Sequence, residues 1–240
     1  MSHHWQEMAI APDSTHHLVR EQPAYSARFE TVLKFHAPGL APVRDAEGAY
    51  HITPDGHAAY KPRFLQSFGF YEGRAAVQSN NGWLHIFPDG LPCYEQRYNW
   101  CGNFQGGRCI VRHTNSIYYH ILLDGHAAYT ERYHYAGDFH DGIAVVQHEN
   151  GLHTHIDGAG QLLHGKWFRD LDVFHKGFAR AYDLHGWYHI NSDGNPIYAQ
   201  RFAHIEPFYN GQARVGGFDG SLLVINDTGT VIVRLRDALH

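Results

Sequence analysis

The chain has 240 residues, 18% of them charged and 14% aromatic, with a formal net charge of −5. Such a composition excludes a disordered chain, and the acidic balance excludes a general nucleic-acid footprint. No apolar run approaches the ~18 residues of a membrane-spanning helix.

Residues 1–24 read as a leader without the apolar stretch of a signal peptide, and His16 and His17 belong to this tail. From there one unit recurs. Tyr25, Tyr60, Tyr94, Tyr129, His164 and Tyr198 are equivalent, spaced by 35, 34, 35, 35 and 34 residues. An aromatic followed by glycine recurs with them, as Phe35–Gly39, Phe70–Gly73, Phe104–Gly107, Phe139–Gly142, Phe174–Gly177 and Phe208–Gly211. A period in this range marks a solenoid, a propeller or an array.

Each unit predicts three extended segments. The first follows the glycine and carries a small residue at a fixed place: Ala41, Ala75, Cys109, Ala144, Ala179 and Ala213. The second is seen most clearly in Trp83–Ile86 and Trp187–Ile190. Asp-Gly pairs at 55–56, 89–90, 124–125 and 193–194 then supply a tight turn. The third contains Tyr60–Phe64 and its equivalents. Apolar residues alternate with period two, so no helix is expected.

Small three-stranded sheets cannot bury both faces alone, and radial packing is the usual solution. The expected fold is all-β, a six-bladed β-propeller with small three-stranded blades, with an open β-hairpin solenoid as the alternative. Residues 25–240 form a single domain in this reading. A strand over 230–236 ends the last blade, and the Tyr25–Phe29 segment pairs with it.

Cys93, Cys101 and Cys109 are odd in number and fit no zinc spacing. They read as free thiols in a reducing compartment, so a cytoplasmic protein is expected.

The recurring pattern aromatic–x–x–Gly–x–Ala–x–Val, then Gly-Trp–x–x–Ile, then Gly, then Arg-Phe resembles the WG-type β-repeat over about residues 25–236. Trp83 and Trp187 hold the family tryptophan, and Ala49, Tyr118, His153 and Leu222 replace it elsewhere. The resemblance implies a repeat fold and no single activity. Where such repeats commonly carry Tyr or Phe before Ile, this chain carries His.

Four sets of residues are candidates for chemistry. The first is that histidine series, His51, His85, His120, His155 and His189, with Val224 in the sixth unit. Residues repeated in five units are expected to be structural, hydrogen-bonded between units. Convergence on a divalent transition metal is the alternative. The second is His153, His155 and Asp157, which alternate along one strand and so share a face, as metal ligands would. The third is Arg44, Arg74, Arg108, Arg112, Arg180 and Arg214. All lie on the first segment with parity opposite to the small residues. Together they would line a mouth for an anionic ligand.

The fourth is the unit that breaks pattern. In residues 164–180, His164 replaces Tyr, Trp167 replaces Arg, and Lys166, Asp170, Asp172 and His175 add acid, base and charge. A histidine beside a carboxylate is a usable acid–base pair.

Two function classes follow. The favoured one is a small-molecule enzyme binding an anionic or sugar-like ligand at the propeller mouth. His164, Lys166, Asp170, Asp172 and His175 would be catalytic, and Trp167 and the arginines would bind. The other is a non-catalytic scaffold for a protein or peptide partner. Neither nucleic acid nor membrane is an expected partner.

Overall fold

The structure, a computed structural model, describes residues 4–113 and 117–239. It is all-β: repeated three-stranded antiparallel sheets of the small-blade kind, as expected. Among the described residues the sheets number seven, not six. Sheet 1 holds β1 (Ala9–Ile10), β2 (His17–Val19) and β3 (Gln22–Pro23). Sheet 2 holds β4 (Thr31–Val32), β5 (Ala41–Asp45) and β6 (Gly48–Ile52). Sheet 3 holds β7 (Gln66–Tyr71), β8 (Arg74–Ser79) and β9 (Gly82–Ile86). Sheet 4 holds β10 (Trp100–Cys101), β11 (Arg108–Arg112) and β12 (Tyr118–Leu122). Sheet 5 holds β13 (Tyr135–Ala136), β14 (Ile143–Gln147) and β15 (His153–Asp157). Sheet 6 holds β16 (Asp170–Leu171), β17 (Ala179–Asp183) and β18 (Gly186–Ile190). Sheet 7 has four strands, β19 (His204–Ile205), β20 (Gln212–Gly216), β21 (Leu222–Asn226) and β22 (Val231–Arg236).

The leader is therefore not featureless. It contains sheet 1, whose His17 plays the part that His51 plays in sheet 2. Tyr25 bonds His17 through its hydroxyl, and no strand forms over Tyr25–Phe29. The chain divides into two compact bodies, Met1–Ala128 and Tyr129–His240. Sheets 1–4 lie in the first and sheets 5–7 in the second.

One side of each repeated hairpin is built on a constant pair. Ala41 stands opposite Ile52, Ala75 opposite Ile86 and Cys109 opposite Ile121 in the first body. Ala144–Ile156, Ala179–Ile190 and Ala213–Ile225 are the pairs of the second. All six isoleucines are fully buried. Each contributes about 2–3 kcal/mol by leaving water. The small partner leaves room for the isoleucine.

The opposite side carries the histidines, because successive side chains alternate between faces. His51, His85, His120, His155 and His189 are at most 1% exposed. The rings of His51, His85, His155 and His189 each stack or tilt against the next sheet's phenylalanine, at 4.6 Å for His51–Phe70 and 4.1 Å for His189–Phe208. His51 Nε2 also donates to the Phe68 carbonyl at 2.8 Å, and His189 Nε2 to that of Glu206 at 2.9 Å. His51 thus ties sheet 2 to sheet 3, and His189 ties sheet 6 to sheet 7.

The turn glycines complete the unit. Gly90 has φ +83°, and a Cβ there would lie 2.6 Å from the Tyr60 ring. Only glycine permits both that backbone and that approach.

Candidate functional site

The histidine protons can be placed from the partners alone. A carbonyl only accepts, so His51 Nε2 carries the proton toward Phe68, and Nδ1 accepts from Tyr60 Oη at 2.5 Å. The same argument holds for His17 with Tyr25 and Leu33, His85 with Tyr94 and Gly102, and His189 with Tyr198 and Glu206. These rings are neutral and fully bonded. Burial, only partly opposed by the carbonyl bond, pulls the pKa of His51, His85 and His189 down to about 4. His51, His85 and His189 are thus held as packing side chains, each bonded at both nitrogens. Val224 breaks the series because β22 runs along β21 and puts Val233 opposite it. No hydroxyl is presented there.

In the fifth unit the tyrosine is His164. Its Nδ1 accepts the Lys166 backbone N–H at 3.1 Å, so Nε2 carries the proton and donates to His155 Nδ1 at 3.0 Å. His155 Nε2 then donates to the Asp172 carbonyl at 2.8 Å. Burial, with the Lys166 charge beside it, lowers the His164 pKa, and burial likewise takes His155 down to about 4. His164 does the work of a tyrosine and has no nitrogen left for a substrate.

Metal ligation by His153, His155 and Asp157 is not what the geometry offers. Both His155 nitrogens are engaged, His153 Nδ1 bonds the Arg169 carbonyl at 3.1 Å, and Asp157 Oδ1 caps a turn through the Ala159 and Gln161 amides. Among the described residues no three His, Cys, Asp or Glu side chains could hold an ion together.

The six arginines do not share one height along their strands. Arg74 and Arg108 lie at the start of their strands, Arg180 and Arg214 in the middle, Arg44 and Arg112 toward the end. Four residues of strand, as between Arg108 and Arg112, span about 13 Å. Arg180 pairs with Asp172 and Arg214 with Glu206, each within its own sheet neighbourhood. Arg44 lies 3.6 Å from Glu30 and donates to the Leu65 carbonyl at 2.6 Å. Arg74 donates to the Leu123 carbonyl at 3.2 Å, and Arg108 to that of Gly106 at 3.2 Å. The Arg112 Nε is shielded from solvent.

The pattern-breaking segment is also split. His175 is exposed in the turn before β17, whereas Trp167 lies against the far end of that strand. Asp170 stands opposite Tyr182 and bonds the Leu171 amide at 2.8 Å. Asp172 is taken by Arg180, and Lys166 Nζ bonds Asn195 Oδ1. His164, Lys166 and Trp167 stay together; His175 does not join them.

What Trp167 does follows from what it replaces. At the equivalent place Arg28, Arg63, Arg97, Arg132 and Arg201 fold back onto the carbonyls of the preceding residues. Arg63 also lies 3.6 Å over the Tyr50 ring and Arg201 3.5 Å over that of Tyr188. In sheet 5 both partners change. Buried Thr154 stands where Tyr50 and Tyr188 stand, and its hydroxyl donates to the Lys166 carbonyl at 2.7 Å. The indole, with no tyrosine to cover, lies edge-on to His148 at 5.6 Å.

Beside it opens a cavity of about 550 Å³, lined by Trp167, Lys166, Tyr182, Leu184, His185 and Pro196 among others. Leu184 is 71% exposed at the β17–β18 turn. Asp183 is the carboxylate of the lining. It accepts from Arg201 Nε at 2.8 Å and from the His185 amide at 2.7 Å. Burial pulls its pKa upward, but those bonds outweigh it and hold the carboxyl below its usual range. A second cavity, about 540 Å³ in the first body, is polar and lined by Arg44, Glu47, Arg63, Asn80 and Asn81.

Of the candidate residues Lys166 and Trp167 line this cavity; Tyr182, Leu184 and His185, which line it too, are not among the candidates. An available signal was Leu184, an apolar residue at a turn tip where the equivalent turn of sheet 3 has Asn80 and Asn81.

Comparison with known proteins agrees with the repeat. Residues 132–152 match the family model described as WG containing repeat, so the chain carries a WG-type β-repeat there. No curated protein matches the chain. Among solved structures, BamB from Moraxella catarrhalis is 11% identical, with TM-score 0.49 over 97% of this chain and 86% of that one. The computationally designed Ika8 protein is 12% identical, with TM-score 0.49 over 95% and 82%. The WD40 beta propeller domain of Doa1 is 11% identical, with TM-score 0.35 over 90% and 87%. No helix among the described residues is long and apolar enough to cross a membrane.

Proposed function

We propose that this is a non-catalytic repeat scaffold that binds a protein or peptide partner in the cavity beside Trp167. The observation that carries this reading is the paired exchange in sheet 5. Thr154 and Trp167 replace a tyrosine and its covering arginine, and the freed indole becomes a cavity wall. Aromatic side chains in concave apolar sites are the usual anchors of recognition. The enzyme reading is weakened by the same geometry. Its acid–base candidates His164 and Asp172 are committed to neighbours. The three free thiols support a reducing, cytoplasmic setting.

Selection of binders from a random peptide display library on the full chain tests the proposal. Trp167→Ala and Leu184→Asp should each abolish the selected binders while leaving the circular dichroism spectrum unchanged. Binders indifferent to both changes, or turnover that depends on His175, would refute it.

A further inference from the structure

The charge around the aromatic cavity is unbalanced, and this specifies the partner. Asp183 is neutralised by Arg201 at 2.8 Å. Two cations remain at the same cavity. Lys166 Nζ meets only the neutral Asn195 amide oxygen among the described residues. Arg169 is exposed, and its hydrogen bonds run through the backbone: its N–H donates to the Tyr182 carbonyl, and its carbonyl accepts from His153 Nδ1. No carboxylate lies within ion-pair distance of either side chain among the described residues. In a chain of net charge −5, an unmatched cationic rim is a local reversal of sign.

The walls argue the other half. Trp167, Tyr182, Leu184 and Pro196 offer apolar and aromatic surface. A free inorganic anion would use the rim and waste the walls. A neutral sugar would use the rings and leave the cationic rim without a counter-charge. A peptide satisfies both features, with one large side chain against the indole and carboxylates reaching Lys166 and Arg169.

Resting on the binding reading above, we infer that the cavity's partner is an acidic peptide segment carrying a large apolar side chain. Cationic rims and apolar cores divide the labour in this way, the first steering and selecting, the second holding.

The test is fluorescence anisotropy with the full chain and four labelled peptides of equal length: acidic with Phe and Leu, acidic without them, basic with them, and neutral with them. The acidic apolar peptide should bind at least ~10-fold more tightly than each of the others, and its affinity should fall as salt rises. Lys166→Glu combined with Arg169→Glu should lose that preference and gain the basic apolar peptide, with an unchanged melting temperature as the control for folding. Equal binding of basic or neutral apolar peptides to the wild type, still abolished by Trp167→Arg, would overturn the acidic class and leave the cavity reading standing. Binding of the acidic apolar peptide that survives Trp167→Arg would overturn both. Failure of all four peptides to bind would likewise overturn both.

Discussion

His164 Nε2 donates to His155 Nδ1 at 3.0 Å, in the place where His51 and His189 receive a tyrosine hydroxyl. The exchange keeps the donor and changes its chemistry. A tyrosine hydroxyl buried here holds its proton ever more firmly, as for Tyr25, pushed up to about 12 by burial. An imidazole offers a second nitrogen, which accepts the Lys166 amide at 3.1 Å and fixes the start of the Trp167 segment.

His164→Tyr should therefore be tolerated, changing unfolding free energy by no more than about 1 kcal/mol, since one neutral donor replaces another. His155→Leu should cost about 3 kcal/mol. It strands the Asp172 carbonyl and the His164 donor in a buried place. Urea denaturation of both variants checks the contrast.

Stability should fall as pH drops from about 6.5 to about 4. The folded chain holds His51, His85, His155 and His189 neutral down to about 4, while the unfolded chain takes up protons from about 6.5. The unfolded state binds more protons across that window, so unfolding free energy rises with pH there and is flat in these groups above it. Each site contributes on the order of a few kcal/mol at most. Denaturant midpoints measured at pH 7.5, 6.0 and 5.0 should decline at each step. Both bodies carry such histidines, so both should weaken.

Gly90→Ala should destabilise by about 2 kcal/mol or more. It forces a positive φ on alanine and drives a Cβ to 2.6 Å from the Tyr60 ring. Gly73→Ala has a positive φ but nothing within 4 Å of the added Cβ, and should cost less. Thermal melting of the pair separates the steric part from the backbone part.

Much of this fold is legible in the sequence because the unit is short and its period strict. The Tyr series, the Asp-Gly turns and the small residues from Ala41 to Ala213 mark real places in the repeat, whereas the expected third segment, Tyr60–Phe64 and its equivalents, forms no strand, and the third strand precedes the glycine instead, as β7 does. Sheet 1 escaped because His17 lies eight residues before Tyr25, where His51 lies nine before Tyr60, and because β1 has only two residues. The site was half legible. Trp167 and Lys166 stand out as breaks in a repeat, and they do meet at one cavity. His175 sits eight residues after Trp167 in the sequence, but a strand's length carries the two to opposite ends of β17. The arginines share a parity, which fixes a face and says nothing about height along the strand. Whether His164 acts as a base or as a tyrosine surrogate depends on which neighbours its two nitrogens meet, and no local pattern encodes that.

The central claim is that the fifth repeat's break builds a binding cavity and not a catalytic centre. One titration tests it most directly: affinity of a library-selected peptide for the wild type, Trp167→Arg, His164→Tyr and His175→Ala. Trp167→Arg restores the residue of the other repeats and should weaken binding by about 30-fold or more, the scale of a lost aromatic anchor. His164→Tyr and His175→Ala should leave affinity within about threefold, because one preserves the buried donor and the other lies at the far end of β17. Loss of binding in the histidine variants with Trp167→Arg unaffected would contradict the account.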